Sequence, residues 1–318
     1  MSRCLVTGGA GFIGSHIVEA LIKKGYQVRV IDDLSSGFLE NLKPLGKRVE
    51  FQKGDIRKLS DAKRAMRGIQ YVFHVAANRA VLRSVDDPVM TNDVNVKGTL
   101  NVLVAARDAK VKRVVYSASS SAYGETSASV LREDDLPRPE SPYAAQKLMG
   151  EYYCRIFFRL YGLETVSVRY FNVFGPRQNP ESKYSAVIPI FIEKMLKNQS
   201  PEIHWDGKQS RDFSYVDNVV HGNLCAMKAK GAAGGVFNIA CHEEFSVMDI
   251  FNELKIILGK PHIKPKMCPK RPGDVRRTFA DITRARKVLG FKVQTKFRPG
   301  LRKTVEWFLE SDVLGRNK

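Results

Sequence analysis

The chain has 318 residues, of which 43% are hydrophobic and 27% are charged, a composition typical of a soluble globular protein with a sizeable core. No apolar run reaches the roughly 20 residues that cross a bilayer, so membrane insertion is not expected. The five cysteines have no paired spacing. This argues against a metal site or a disulfide framework and favours a cytoplasmic protein.

The formal net charge of +19 raises the question of a nucleic-acid or acidic-membrane partner. The lysines and arginines are spread along the chain, however, and no nucleic-acid motif with interleaved aromatic residues occurs. We therefore expect no nucleic-acid partner. A generally basic surface that helps to attract an anionic substrate is the better interpretation.

The first element is a buried strand, a glycine-rich turn and a helix. An apolar run at residues 4–6 precedes Gly8, Gly11 and Gly14, after which the apolar residues recur with helical period. Gly8 permits a tight turn, Gly11 lets a pyrophosphate approach the backbone, and Gly14 lets the helix pack on the strand. The pattern predicts a dinucleotide site at the start of the helix.

The second strand, at residues 27–31, ends in Asp32 and Asp33, roughly 20 residues after the last glycine of the turn. An acid at this position accepts hydrogen bonds from the adenosine ribose and repels a 2′-phosphate, which favours NAD over NADP. A P-loop is excluded because no Lys-Ser/Thr pair follows the glycines.

Strands and helices continue to alternate in the first half of the chain. We expect further strands at 49–52, 71–75, 111–117 and 164–168, and long helices at 86–109 and 142–161. The second long helix has Ser141 as N-cap, Pro142 as its first residue and Gly162 after its end. The alternation predicts an α/β fold with a doubly wound parallel Rossmann sheet.

Beyond Tyr170 the pattern becomes irregular. Helices are expected at 186–197, 216–228, 246–258 and 301–309, with a Pro- and Lys-rich loop at 261–273. We predict an NAD-binding Rossmann domain at 1–172, to which the chain returns near 214–240, and a smaller mixed α/β substrate-binding domain at 173–318.

Tyr143 and Lys147 lie four residues apart on a predicted helix and so share one face. An ammonium group beside a phenol favours the phenolate, which can take a hydroxyl proton near neutral pH. A surface helix pair has the same spacing. Ser119, Ser120 and Ser121 at the end of the preceding strand, together with the glycine turn, make the combination more specific.

With these motifs, nearly the whole sequence resembles the extended short-chain dehydrogenase/reductase family. The matching segments are 7–14, 32–37, 54–56, 74–77, Asn95, 117–124, 143–147, 169–175, 211–213, Asp217, 271–274, 281–290 and 300–308. Within the family the chain is most similar to the UDP-hexose 4-epimerases, above all those that accept N-acetylated sugars.

The resemblance implies catalysis by Ser119, Tyr143 and Lys147. Tyr143 would remove the proton of the sugar 4-hydroxyl, directly or through Ser119, while hydride passes from C4 to tightly held NAD. The 4-keto sugar would then turn over and receive the hydride on its opposite face.

The resemblance also implies two sets of binding residues. For the cofactor they are Gly8, Gly11, Phe12, Ile13, Gly14, Asp32, Asp33, Ser36, Gly37, Asp55, Ile56, Ala76, Ala77, Arg79, Asn95, Ser117, Tyr143, Lys147, Tyr170 and Phe171. For the UDP-sugar they are Arg79, Ser119, Ser120, Ser121, Tyr143, Asn172, Ala186, Val187, Arg211, Arg271, Asp274 and Thr278. The two later arginines would pair with the diphosphate, because a guanidinium offers bidentate donors to phosphate oxygens.

Two residues bear on the identity of the sugar. Thr278 stands where glucose-specific relatives resemble each other in having a bulky Tyr, and a smaller side chain leaves room for an N-acetyl group. This favours UDP-N-acetylglucosamine and UDP-N-acetylgalactosamine, with UDP-glucose and UDP-galactose also open. Arg79 lies at the rim of the sugar pocket and could instead meet a carboxylate, so a UDP-glucuronate 4-epimerase stays an alternative.

Other enzymes of the same family are further alternatives. A nucleotide-sugar 4,6-dehydratase has a Thr-Asp-Glu signature where this chain has three serines, and elimination needs those acids. An oxidoreductase or decarboxylase of nucleotide sugars stays open, whereas a non-catalytic NAD sensor or RNA-binding relative would have lost Tyr143 or Lys147. In relatives the helices that match 86–109 and 142–161 form a four-helix interface, which predicts a homodimer.

Overall fold

The computed structural model describes residues 2–79, 81–179, 186–270 and 275–311. Its strands are β1 Arg3–Thr7, β2 Gln27–Asp32, β3 Val49–Lys53, β4 Tyr71–His74, β5 Arg113–Ser119, β6 Glu164–Tyr170, β7 Val173–Phe174, β8 Glu202–His204, β9 Ser210–Asp212, β10 Ser214–Tyr215, β11 Val236–Ile239, β12 Glu244–Ser246, β13 Lys266–Cys268 and β14 Arg277–Thr278. Its α-helices are α1 Phe12–Lys23, α2 Leu59–Met66, α3 Val81–Asp86, α4 Pro88–Asn92, α5 Gly98–Asp108, α6 Pro142–Tyr161, α7 Val187–Leu196, α8 Val216–Lys228, α9 Val247–Ile257 and α10 Phe297–Glu310.

Seven parallel strands form the central sheet in the order β11-β6-β5-β4-β1-β2-β3. The chain runs outward from β1 to β3, then crosses back to β4 and continues on the other side. Helices and apolar side chains cover both faces of the sheet. The prediction of a doubly wound parallel Rossmann sheet is confirmed, and its switch point lies between β1 and β4, where such folds bind their ligands.

The chain returns to the sheet after leaving it. Strand β11 pairs with β6 in parallel, with Asn238 opposite Arg169. The preceding helix α8 is held by Arg113, whose Nη1 donates to the carbonyl oxygens of Ala226, Met227 and Ala229 at the end of that helix. The second half of the chain therefore supplies part of the sheet that the first half begins.

Two predicted elements were wrong in their bounds. The long helix expected at 86–109 begins at Pro88, because proline at the first helical position follows Asp87, whose carboxylate accepts a hydrogen bond from the N–H of Met90. A π-helical turn at Asp93–Lys97 then joins α4 to α5. The region 261–273 is not wholly a loop either, since Lys266–Cys268 forms β13 beside β8.

The remaining elements form a smaller mixed assembly beside the sheet. Strands β12, β9 and β14 pair with one another, and the ring of Phe245 stacks on that of Phe297 at 4.0 Å between centroids. Helices α7, α9 and α10 pack with these strands into the same apolar core. Among the described residues, no helix has both the length and the apolarity that crossing a bilayer requires.

Candidate active site

A cleft of about 930 Å³ opens along the carboxyl ends of β1, β2, β4 and β5. It brings together most of the residues that the sequence singled out. These are Gly8, Gly11, Phe12, Ile13, Gly14, Asp32, Asp33, Ser36, Gly37, Asp55, Ile56, Ala76, Ala77, Arg79, Ser117, Ser119, Ser120, Ser121, Tyr143, Lys147, Tyr170, Asn172, Ala186, Arg211 and Thr278.

The glycine turn brings three backbone segments too close together for any side chain. Gly8 has a φ of +68°, and a Cβ there would lie 2.7 Å from the Cα of Ala76 at the end of β4. A Cβ at Gly14 would overlap the carbonyl oxygen of Gly8. Helix α1 then begins with Gly11 as an N-cap that offers no side chain. The N–H groups of its first turn therefore face the cleft and suit a pyrophosphate.

Asp32 joins this turn to the end of β2. Its carboxylate accepts hydrogen bonds from the backbone N–H groups of Ala10 and Leu34, each at 2.9 Å. Burial raises the pKa of Asp32, whereas these two hydrogen bonds lower it. The neighbouring Asp33 is exposed and accepts from the N–H and hydroxyl of Ser35. Two carboxylates thus line the end of the cleft where an adenosine ribose is expected.

Two predicted cofactor residues lie behind the cleft wall. Asn95 is 1% exposed. Its side-chain Oδ1 accepts from the backbone N–H of Asn78, and its Nδ2 donates to the backbone carbonyl oxygen of Asn78 and to the Oε1 of Gln146. Phe171 is fully buried, with its ring 6.0 Å from that of Tyr123. Neither side chain lines the cleft. Asn95 holds the loop after β4 in place, and Phe171 packs in the core.

Tyr143 reaches the cleft from the first turn of α6. Its backbone N–H donates to the Oγ of Ser84 at 3.0 Å, which fixes the helix start against α3. Burial raises the pKa of the Tyr143 phenol, whereas a hydrogen bond with Ser119 and the charge of Arg79 lower it. Ser119 in turn accepts from the hydroxyl of Ser121 at 2.8 Å. The phenol and the serine hydroxyls form one connected group.

Lys147 lies one helical turn further into the protein and is 4% exposed. Its Nζ donates to the carbonyl oxygen of Ser117 at 2.7 Å and lies 5.1 Å from the centre of the Tyr116 ring. The ammonium is therefore anchored on β5. The Oγ of Ser117 lies 2.9 Å from the hydroxyl of Tyr170, which extends the polar group toward β6.

A second cavity of about 480 Å³, here called the inner pocket, continues from the cleft into the second half of the chain. Asn172, Ala186 and Arg211 line both, and Val187 lines the inner pocket alone. Asn172 has a φ of +28°, which is uncommon for a residue other than glycine. The predicted residues Arg271 and Asp274 lie outside the described part of the chain.

Sequence reasoning missed several residues that line these two cavities. They include Asn78, Arg83, Glu140, Gln178 and Val275 in the cleft and Phe191, Lys194, Gln209 and Phe213 in the inner pocket. Asn78 follows Ala76 and Ala77 past the end of β4, so the strand-end rule that selected those alanines also covers it. The inner-pocket residues come from α7 and from the two ends of β9; Phe213 belongs to the matching segment 211–213, whereas Phe191, Lys194 and Gln209 lie in no motif.

Three potential metal ligands, Glu202, His204 and Cys268, place their ligand atoms within 4.8 Å of one another. The sequence predicted no metal site because these residues are far apart along the chain. Pairing of β8 with β13 brings them together. The ammonium of Lys266 lies 2.9 Å from Glu202 and already neutralises its carboxylate, so we assign no ion to this group.

Comparison with known proteins gives consistent results. Residues 4–240 match the sequence profile of the NAD dependent epimerase/dehydratase family. A UDP-glucose 4-epimerase of Mycolicibacterium smegmatis is 41% identical, with 96% of this chain and 98% of the relative covered.

Solved structures agree as well. A UDP-N-acetylglucosamine 4-epimerase from Methanobrevibacter ruminantium, in complex with UDP-N-acetylmuramic acid, has a TM-score of 0.92 and 40% identity, with 97% of this chain and 98% of that chain covered. A UDP-glucuronic acid 4-epimerase from Bacillus cereus, in complex with UDP-glucuronic acid and NAD, has a TM-score of 0.90 and 33% identity, with 97% and 99% covered.

Two alanine substitutions in the glycine turn should separate folding from dinucleotide binding. G14A should lower the free energy of unfolding by about 2 kcal/mol, because its Cβ displaces the backbone of Gly8. G11A should lower it less, because the extended N-cap conformation accepts alanine and its Cβ would lie 3.2 Å from the carbonyl oxygen of Gly8, a tight contact but not an overlap. Both should reduce the dinucleotide retained on purification. Urea unfolding and the absorbance of heat-released nucleotide measure the two effects, and wild-type behaviour of G14A would contradict the assignment.

Proposed function

Because the chain belongs to the NAD dependent epimerase/dehydratase family, we propose that it is a UDP-sugar 4-epimerase that prefers UDP-N-acetylglucosamine and UDP-N-acetylgalactosamine. The observation that carries this proposal is the Tyr143 phenol, which lines the cleft beside Ser119 and one helical turn from Lys147. Inversion at a single carbinol carbon needs one group that takes a hydroxyl proton and later returns it.

NAD is the cofactor of this chain. The described residues fit it: Gly8 and Gly14 leave a cradle that any side chain would fill, and α1 presents its uncapped N-terminus to that cradle. Asp32 and Asp33 lie where the adenosine ribose would bind, and their charge disfavours a 2′-phosphate. When bound, NAD supplies reversible hydride transfer at C4 of the sugar.

Tyr143 would remove the proton of the sugar 4-hydroxyl. Burial alone keeps the phenol neutral, so nearby positive charge is needed before it can act as a base. Arg79 supplies such a charge from the cleft, and Lys147 carries another on the same helix face. Ser119 already hydrogen-bonds the phenol and can pass the proton between Tyr143 and the sugar.

Three serines at the carboxyl end of β5 favour epimerisation over elimination. Ser119, Ser120 and Ser121 all line the cleft and offer hydroxyl groups. Removal of water from a 4-keto sugar needs an acid to protonate the leaving hydroxyl, and a serine hydroxyl is too weak an acid for this. The serines suit hydrogen bonds to the sugar ring instead.

The proposed preference for an N-acetylated sugar rests on the part of the cleft that Thr278 lines. Thr278 lines it with a small side chain, which leaves space for an acetamido group. The inner pocket then offers apolar walls from Val187 and Phe191 for a uracil ring, with Arg211 at its mouth for a diphosphate. The similar Methanobrevibacter ruminantium enzyme is in complex with UDP-N-acetylmuramic acid, whose sugar is N-acetylated. The residues of 1–172 would thus hold NAD, and 173–318 most of the nucleotide sugar.

Arg79 favours a second candidate, the epimerisation of UDP-glucuronate. Its guanidinium lines the cleft, and the charged or polar groups that act on it are Tyr143 and Arg83 rather than a carboxylate. A uronate carboxylate on the sugar would complement the Arg79 guanidinium. The similar Bacillus cereus enzyme binds UDP-glucuronic acid.

One set of incubations tests both candidates. Purified protein, without added NAD, should convert UDP-N-acetylglucosamine to UDP-N-acetylgalactosamine faster than it converts UDP-glucose or UDP-glucuronate. Proton NMR of the anomeric region identifies each epimer. Conversion of UDP-glucuronate alone would replace the first candidate by the second, and no epimer from any of the three sugars would end the proposal.

Replacing Tyr143 by Phe should abolish epimer formation, a loss of at least about 10²-fold, because the phenol proposed as the base is removed. Tyr161→Phe is the matched control, since this tyrosine lies on the same helix, is 50% exposed and does not line the cleft. Bound NAD and the melting temperature should be unchanged in both variants. Equal turnover by the Tyr143 variant and the wild type would remove Tyr143 from the mechanism.

We further propose a homodimer through the helices at 86–109 and 142–161. Tyr152, Ile156 and Leu160 form an exposed apolar stripe on α6, and Val89 on α4 is 75% exposed. Sedimentation at micromolar concentration should show a dimer, which I156E should dissociate. I256E, on α9 where the residue is 76% exposed, is the control that should leave the dimer intact. A wild-type monomer would contradict this interface.

A further inference from the structure

The Lys147 ammonium is enclosed by groups from two strands and its own helix. His74 faces it from β4, Tyr116 and the carbonyl oxygen of Ser117 from β5, and Glu151 and Cys154 from α6. Tyr143 lies one turn before it on α6. An ammonium buried in this way is costly unless negative charge lies near it.

Only one of these neighbours carries a negative charge near neutral pH. Burial raises the pKa of Cys154 to about 12 and lowers that of His74 to about 3, so the thiol and the imidazole are both neutral. Burial also raises the pKa of Tyr116 and of Tyr143. The carboxylate of Glu151 is left as the counter-charge, four residues after Lys147 on the same helix face.

Glu151 is held rigidly in place by a buried ion pair. Arg169 on β6 donates from Nε and Nη2 to its two carboxylate oxygens at 2.9 and 2.7 Å, and both side chains are 3% exposed. The guanidinium also lies over the ring of Tyr123 at 4.6 Å. The hydroxyl of Tyr123 donates to Asn238 on the returning strand β11. The position of the carboxylate thus depends on two strands of the sheet, β6 and β11, and on the turn that follows β5.

We propose that Glu151 is a positioning residue that keeps Lys147 in its ammonium form, and that Arg169 holds the Glu151 carboxylate in the geometry this requires. Burial lowers the pKa of Lys147 to about 8, against the raising effects of Cys154 and Glu151. Since the Cys154 thiol is neutral below that value, the Glu151 charge opposes the loss of the proton. The effect on turnover rests on the proposed function, whereas the effect on Lys147 does not.

Titration of Lys147 itself tests the proposal without any assay of activity. In holoenzyme labelled with ¹³C at lysine Cε, the NMR resonance missing from K147R identifies Lys147. In E151Q its midpoint should fall by about one pH unit or more, because loss of a nearby negative charge disfavours the protonated amine. E164Q is the matched control: it breaks the Arg113–Glu164 pair at the start of β6, remote from Lys147, and should leave the midpoint unchanged.

A second variant separates charge from folding. E151Q leaves Arg169 buried without its partner and can destabilise the protein. The double variant E151M/R169M replaces the pair by apolar side chains of similar volume, which buried cores tolerate. It should fold, and its Lys147 midpoint should lie between those of E151Q and the wild type, because the positive charge of Arg169 is removed together with the negative charge of Glu151. An unchanged midpoint in both folded variants would reduce Glu151 to a structural role and overturn the proposal.

The pH profile of turnover then connects this charge to catalysis. The alkaline limb of kcat, where Lys147 loses its proton, should move to lower pH in E151Q, so that activity at pH 8 falls more than activity at pH 6. E164Q should keep the wild-type limb. A lowered midpoint with an unmoved limb would overturn the catalytic part of the proposal. A lowered midpoint in a protein inactive on all UDP-sugars would count against the proposed function alone.

Discussion

The hydrogen bond from the Lys147 ammonium to the carbonyl oxygen of Ser117 is the contact on which the rest of the site depends. It ties α6 to the carboxyl end of β5 at the point where the strand gives way to the three serines. Because α6 is rigid, fixing Lys147 also fixes the direction of Tyr143 one turn earlier. A charge buried this deeply needs compensation, and the protein provides it through hydrogen bonding and the Glu151–Arg169 pair beneath it.

The glycine turn imposes a second constraint on the same edge of the sheet. Gly8 lies against Ala76, and Gly14 lies against Gly8, so the ends of β1 and β4 and the start of α1 meet without side chains between them. This close approach creates a backbone surface of N–H groups that an anion can contact. The catalytic phenol and the dinucleotide cradle face one cleft because parallel strands all end at the same edge.

Relatives with closely similar folds are named for different sugars, including UDP-glucose, UDP-N-acetylglucosamine and UDP-glucuronic acid. The shared machinery therefore does not select the sugar. Selection must lie with the few side chains at the variable end of the cleft. Arg79 and Thr278 both line the cleft, one with a charged side chain and the other with a small one, and on these two residues the two proposed substrates depend.

Local signals account for the parts of the fold that were predicted well. Helix α6 runs from Pro142 to Tyr161 as expected, because Ser141, Pro142 and Gly162 mark its two ends by backbone chemistry alone. Local signals failed where a proline set the start of a helix and where two strands that are distant along the chain paired. The helix expected at 86–109 begins only at Pro88, and β13 forms only because β8 lies beside it. Likewise, the amide of Asn95 looks like a ligand contact by motif, yet it supports the cleft from behind.

The sequence by itself determined the Rossmann sheet, the dinucleotide turn and the pairing of Tyr143 with Lys147 on one face, since each depends on residues that are close along the chain. Only the tertiary structure decided what surrounds them. The inner pocket is built from separate segments between residues 172 and 247, and Arg169 reaches Glu151 across the contact between β6 and α6. Such contacts depend on how whole elements pack, and no local spacing of residues encodes them.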